Sequence, residues 1–253
     1  MIDYAKIMTQ ASLLRVQLGE DCTSPIDIFS LVQNIESLTI VYYPMGDNLS
    51  GMCIKGEHGN SVIAINSSMT LGRQRFSMAH ELYHLYFDDN MMSVCAKKIN
   101  YGKDIEKSAD MFASYFLMPE PALMVLAEKM SEKHSDKQLT LNDIIKVEQY
   151  YGVSHQATVY RLMHTSFLNE FKGNAYLNQA VRSRAEALGY SASLYRPSPE
   201  SRKYITYGHY INQAEQVLSK GLVSTGKYEQ LLLDAFRSDL VYGDEDEGCD
   251  VID

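Results

Sequence analysis

The chain has 253 residues, 45% hydrophobic and 22% charged, with a net charge of -9 and a pI near 5.3. These values suit a globular protein with core enough for one large domain or two small ones. No run approaches the ~20 apolar residues that span a bilayer, and the acidic balance argues against holding DNA through phosphate contacts, which need clustered Lys and Arg.

The start, Met1-Ile2-Asp3-Tyr4-Ala5-Lys6, has neither the basic opening nor the apolar run of a signal peptide, so a cytoplasmic location is expected. The cysteines Cys22, Cys53, Cys95 and Cys249 show no CxxC spacing. Free thiols are therefore expected rather than a cysteine-built zinc site. A redox or metal-blocking role for Cys95 has no support from the sequence alone.

Residues 1–20 read as a helix, with Ile7, Leu13, Leu14 and Leu18 available for one side. Ser24-Pro25 reads as a helix start, with Ser24 as N-cap and Pro25 in the first helical position. Leu38–Tyr43 is rich in β-branched and aromatic residues and reads as a strand. Met52–Ile54 and Val62–Ile65 flank a Gly-rich connection and read as a hairpin, one strand of which offers an edge to an extended substrate or simply pairs internally. A helix is expected over 71–87, then a loop of some fifteen residues, then helices over 105–117 and 121–130. Residues 139–165 read as two helices joined at Tyr151-Gly152-Val153-Ser154, with Gly152 ending the first and Ser154 capping the second. Helical character returns at 178–188, 208–218 and 227–236, and the acidic end, about 243–253, reads as a solvated, disordered tail.

The chemistry concentrates at His80-Glu81-Leu82-Tyr83-His84. Residues four apart on a helix share one face, so two imidazoles can converge on one ion, with Glu81 placed to reach a water bound there. Zinc suits this set, and ligand type alone does not separate it from manganese. A catalytic zinc needs a third protein ligand and an open position. Ala109, Phe112, Ala113, Phe116 and Leu117 form an apolar helical stripe, and Glu106 extends it by one turn. A carboxylate on a buried face calls for a cation. The expected metal ligands are thus His80, His84 and Glu106, with Glu81 as the catalytic base. Asp110, one turn after Glu106, is placed to hold a ligand His by its other ring nitrogen. Tyr101 and His58 are candidate oxyanion donors, with ordinary loop residues as the alternative reading.

Several linked motifs occur together: Pro25-Ile26-Asp27-Ile28, Ile63-Ala64-Ile65-Asn66, the run from Arg73 to His84, the run from Glu106 to Ala113, and Phe116-Leu117-Met118-Pro119. Together, over about residues 20–165, they resemble the ImmA/IrrE family of metallopeptidases. The resemblance implies an α+β fold: a mostly helical, zincin-like domain with a small sheet over 1–165, followed here by a helical region over 166–253. It implies a zinc endopeptidase of the HExxH-plus-Glu type. The implied partner is a helix-turn-helix repressor of a phage, mobile element or stress operon, cut to relieve repression. The family ligands map onto His80, His84 and Glu106, and its catalytic Glu onto Glu81. Tyr83 departs from the family's frequent Gly at that position. The alternative is a non-cleaving partner of a repressor, as one half of a toxin–antitoxin or regulatory pair. A third reading makes the helix-turn-helix-like segment 139–165 a DNA reader, but Lys146 and Arg161 are offset there by Asp143 and Glu148, which favours a structural pair. No direct nucleic-acid or membrane binding is expected, and the sequence leaves the oligomeric state open.

Overall fold

A five-stranded mixed sheet carries the fold, in the order β4-β2-β3-β1-β5. In chain order, α1 (Tyr4–Gln17) and α2 (Ile28–Gln33) precede β1 (Leu38–Tyr43), β2 (Leu49–Lys55) and β3 (Ser61–Asn66). Then come α3 (Leu71–Phe87), β4 (Met92–Ala96), α4 (Asp104–Leu117), α5 (Glu120–Ser131), α6 (Leu141–Tyr151) and α7 (His155–Met163). The rest of the chain supplies α8 (Glu170–Tyr176), α9 (Arg182–Ala187), β5 (Ile205–Gly208), α10 (His209–Ser219), α11 (Thr225–Asp234) and α12 (Ser238–Tyr242). The computed structural model describes residues 2–56, 59–96, 98–99 and 103–243. The expected tail from residue 244, His58 and Tyr101 lie outside the described residues.

The α+β class follows from these elements. β2 and β3 form the expected antiparallel pair, and β1 runs parallel to β3 from Leu38 opposite Ser61 to Tyr43 opposite Asn66. β3 lies at the centre of the sheet, and five of its six residues are buried. A strand covered on both faces gains little from alternation, which is why Val-Ile-Ala-Ile reads as a continuous apolar run. α3 contacts β2, β3 and α4, and α1 contacts α4. Arg15 of α1 is buried and donates to the carbonyls of Phe116, Ser24 and Asp21. This ties the amino-terminal helix to the end of α4, whose last-turn carbonyls lack intrahelical donors.

The structure corrects the reading of several elements. The helix expected at Ser24-Pro25 begins at Ile28, with Asp27 as its N-cap accepting from Phe29 N at 3.3 Å. The stretch after α3 is not all loop, because Met92–Ala96 pairs with β2. The sheet gains β5 from the region after 165, pairing antiparallel with β1. Of the helix expected over 178–188 only the short α9 forms, and α8, which precedes that stretch, was not expected. Neither β2 nor β3 keeps a free edge, since β2 lies between β3 and β4 and β3 between β2 and β1.

The α6–α7 pair is joined as expected, with Gly152 in the left-handed region at φ 66° and Ser154 at the N-cap position. Arg161 is buried, ion-paired to Glu120 and set over the Tyr115 ring. Its charge is spent inside the fold. His155 Nδ1 meets Glu148 Oε1 at 2.5 Å, and its Nε2 donates to the Tyr176 carbonyl at 2.9 Å. Burial pulls this imidazole down, but the Glu148 hydrogen bond and charge outweigh it and raise its pKa. A pKa raised on folding adds stability that is complete below the unfolded value near 6.5 and fades as pH rises through the higher folded value. Urea unfolding of wild type and His155→Gln therefore differs most at about pH 6, with the gap shrinking by about pH 9. A gap that widens with pH contradicts the assignment.

Candidate metal centre

α3 is buried along most of its length, from Gly72 to His84. Phe76, Met78, Ala79 and Leu82 pack in the main core and fix the helix against the sheet. That leaves His80 and His84, one turn apart, facing the same point as Glu106 on α4. The α4 stripe runs as expected, with Ala109, Phe112, Ala113, Phe116 and Leu117 fully buried. Tyr83 packs its ring against Phe87 and Phe112, at 5.8 and 5.5 Å between centroids, and so belongs to the α3–α4 contact.

The donors converge closely. His80 Nε2 lies 3.2 Å from His84 Nε2. Glu106 Oε2 is 3.4 Å from His80 Nε2, and Glu106 Oε1 is 3.6 Å from His84 Nε2. His80 Nδ1 meets Asp110 Oδ1 at 2.9 Å, and His84 Nδ1 meets Asp88 Oδ2 at 2.7 Å. A proton on each Nδ1 satisfies these carboxylates and fixes the tautomers. Both Nε2 atoms then present lone pairs to each other and to two carboxylate oxygens. Such a set of acceptors calls for positive charge at its centre, supplied either by a metal ion or by a proton on one imidazole.

A fourth candidate donor is Cys95. Ligand atoms of His80, His84, Cys95 and Glu106 all lie within 4.8 Å of one another. Cys95 comes from β4 and is completely buried. The described cysteines Cys22, Cys53 and Cys95 are all free thiols, as expected, and Cys95 in addition lies within the candidate donor cluster, which the sequence did not indicate. Asp88, immediately after α3, is the other residue the sequence reading missed. Its signal was its place four residues beyond His84.

Electrostatics match the geometry. Burial pulls His80 down, but the Asp110 hydrogen bond, with Cys95 and Glu106 added, holds it well above its ordinary value. His84 is lowered, first by burial and then by the charge of His80. Two imidazoles whose Nε2 atoms lie 3.2 Å apart cannot both carry a proton charge cheaply. Burial opposes ionisation of Glu106, but the histidines lower its pKa. Burial also pushes the Cys95 thiol up to about 12, against its hydrogen bond with His80. A bound cation reverses that preference, because a coordinating thiol is deprotonated.

Glu81 is fully buried beside the cluster, and burial raises its pKa to about 7. Its Oε2 accepts from Ser93 Oγ at 3.3 Å, whereas Oε1 is buried with no hydrogen-bond partner. An orphaned carboxylate oxygen next to four convergent donors fits a site built around a metal and its water. Gly51 of β2 faces this carboxylate: a Cβ there falls 2.8 Å from Glu81 Oε1 and 3.0 Å from the Ala64 carbonyl. Gly51→Ala therefore displaces the Glu81 carboxylate while leaving the four convergent side chains in place. The expected result is an unchanged metal content with cleavage slowed by about 100-fold, the order that a ~1 Å misplacement of a reacting group can cost. Loss of metal along with activity contradicts this.

A cavity of about 380 Å³ lies elsewhere, between the sheet and the region after 165, lined by Phe29, Tyr42, Arg75, Leu194, Arg202 and Tyr207 among others. No helix among the described residues is long and apolar enough to cross a membrane. Residues 37–163 match the family model Peptidase_M78, described as the IrrE N-terminal-like domain. No curated protein matches the chain.

Proposed function

This chain belongs to the IrrE N-terminal-like metallopeptidase family, and we propose that it is a zinc-dependent endopeptidase that cuts a helix-turn-helix repressor and so relieves repression. The observation that carries the reading is the convergence of His80, His84 and Glu106 beside a buried, orphaned Glu81 oxygen. Pure binding of a partner requires no such base. His80, His84 and Glu106 hold the metal, while Asp110 and Asp88 orient the two imidazoles. The thiol in the donor set favours zinc over manganese, a harder ion that prefers oxygen ligands. Zinc supplies Lewis acidity and an acidified water when bound.

The chain's own residues do the rest. Glu81 accepts a proton from the attacking water through Oε1, the oxygen without a hydrogen-bond partner. It then returns that proton to the leaving amide nitrogen. A pKa raised by burial suits a group that both takes and gives a proton near neutral pH. The proposed division assigns this chemistry to residues 1–165, with 166–253 serving recognition or control. The α6–α7 pair acts as a structural element rather than a DNA reader, in keeping with the internal pairing of Arg161. The proposed location is cytoplasmic.

New protein N-termini mapped in the native host, in wild type and Glu81→Gln and with and without DNA damage, test this reading. A new terminus in a helix-turn-helix regulator, present only with wild type, supports it. Identical termini in both strains under both conditions overturn it in favour of a non-cleaving partner.

A further inference from the structure

β4 is an unusual edge strand. It pairs antiparallel with β2 from Leu49 opposite Ala96 to Ile54 opposite Met92. Yet it buries only one side chain: Met92 is 61% and Val94 49% exposed, while Cys95 is 0% exposed. A strand of five residues with a single buried anchor gains little from the hydrophobic effect. Its anchor is the thiol that completes the donor cluster. Ser93, two residues earlier, reaches Glu81 Oε2 at 3.3 Å. One short strand thus touches both the metal donors and the catalytic base. It also lies on the edge of β2 where an extended peptide would add, next to the Gly51–Glu81 contact.

Four protein donors make a closed, structural type of zinc site, whereas hydrolysis needs one position open. Resting on the metallopeptidase reading above, we propose that β4 is an internal occupant of the substrate edge. Cys95 supplies a fourth ligand that closes the reactive position, and the peptidase stays latent until β4 leaves β2. Three protein ligands and Glu81 remain once the strand lifts, so the open state is catalytically complete.

Cobalt(II) substitution of the full-length chain tests the ligand directly. Visible d–d bands in the wild type report that the site binds metal. A near-ultraviolet sulfur-to-cobalt charge-transfer band is expected in the wild type, lost in Cys95→Ser and kept in Cys53→Ser, a buried thiol outside the cluster. Acetohydroxamate, which needs an open metal position, is expected to bind Cys95→Ser at least about tenfold more tightly than wild type, a difference of ~1.4 kcal/mol. Visible bands without the sulfur band in the wild type overturn the proposal and leave the metal site standing. Equal hydroxamate affinities overturn the closure. No visible bands in the wild type overturn the metallopeptidase reading, and the proposal with it. The wild-type spectrum needs no variant, so a misfolded Cys95→Ser does not remove the test.

Discussion

In Glu81→Gln, cleavage falls by about 10²–10⁴-fold while metal content stays at the wild-type level. The substitution keeps the shape of the side chain and leaves His80, His84, Cys95 and Glu106 in place. It removes only the capacity to accept a proton at Oε1, the buried oxygen without a partner. The measurement is turnover of a peptide spanning the mapped cleavage site, alongside metal content on the same preparation. Turnover within a few-fold of wild type places the base elsewhere. Metal loss shows instead that Glu81 helps hold the ion.

The second large effect is on stability. Phe112 is fully buried between α3 and α4, the helices that carry His80, His84 and Glu106. Its ring lies 5.5 Å from Tyr83, 5.4 Å from Phe87 and 5.4 Å from Phe116, centroid to centroid. Truncation leaves a cavity in this aromatic cluster, so Phe112→Ala is expected to cost about 3–5 kcal/mol. For a chain of this size that lowers Tm by roughly 6–20 °C. Because α3 and α4 also set the Glu106–histidine distances, metal affinity falls with stability. Thermal unfolding with and without added zinc measures both. A loss under about 1 kcal/mol contradicts the packing described for this cluster.

What could be read in advance follows from the range of the interactions involved. His80, Glu81 and His84 are legible because a helix places i and i+4 on one face whatever surrounds it. Glu106 is legible because it continues an apolar stripe, and Asp110 because it follows one turn later, where it now meets His80 at 2.9 Å. β4 was not legible. Met92-Ser93-Val94-Cys95-Ala96 carries no strong pattern, and it is a strand only because β2, some forty residues earlier in the chain, offers it a partner. Cys95 was hidden for the same reason, since the sheet and not the local sequence brings it to the histidines. β5 likewise depends on β1, about 165 residues away. The start of α2 was misplaced by three residues because Ser24-Pro25 and Asp27 both carry capping chemistry. Asp27 prevails with a hydrogen bond from Phe29 N and an ion pair to Arg75 at 3.1 Å.

The most direct test of the central claim is the metal content of the chain purified without added metal or chelator, set against His84→Ala prepared in the same way. Roughly one zinc per wild-type chain is expected, and a small fraction of that in the variant. A wild-type protein that is free of metal yet still cleaves, or a His84→Ala variant that keeps a full equivalent, contradicts it.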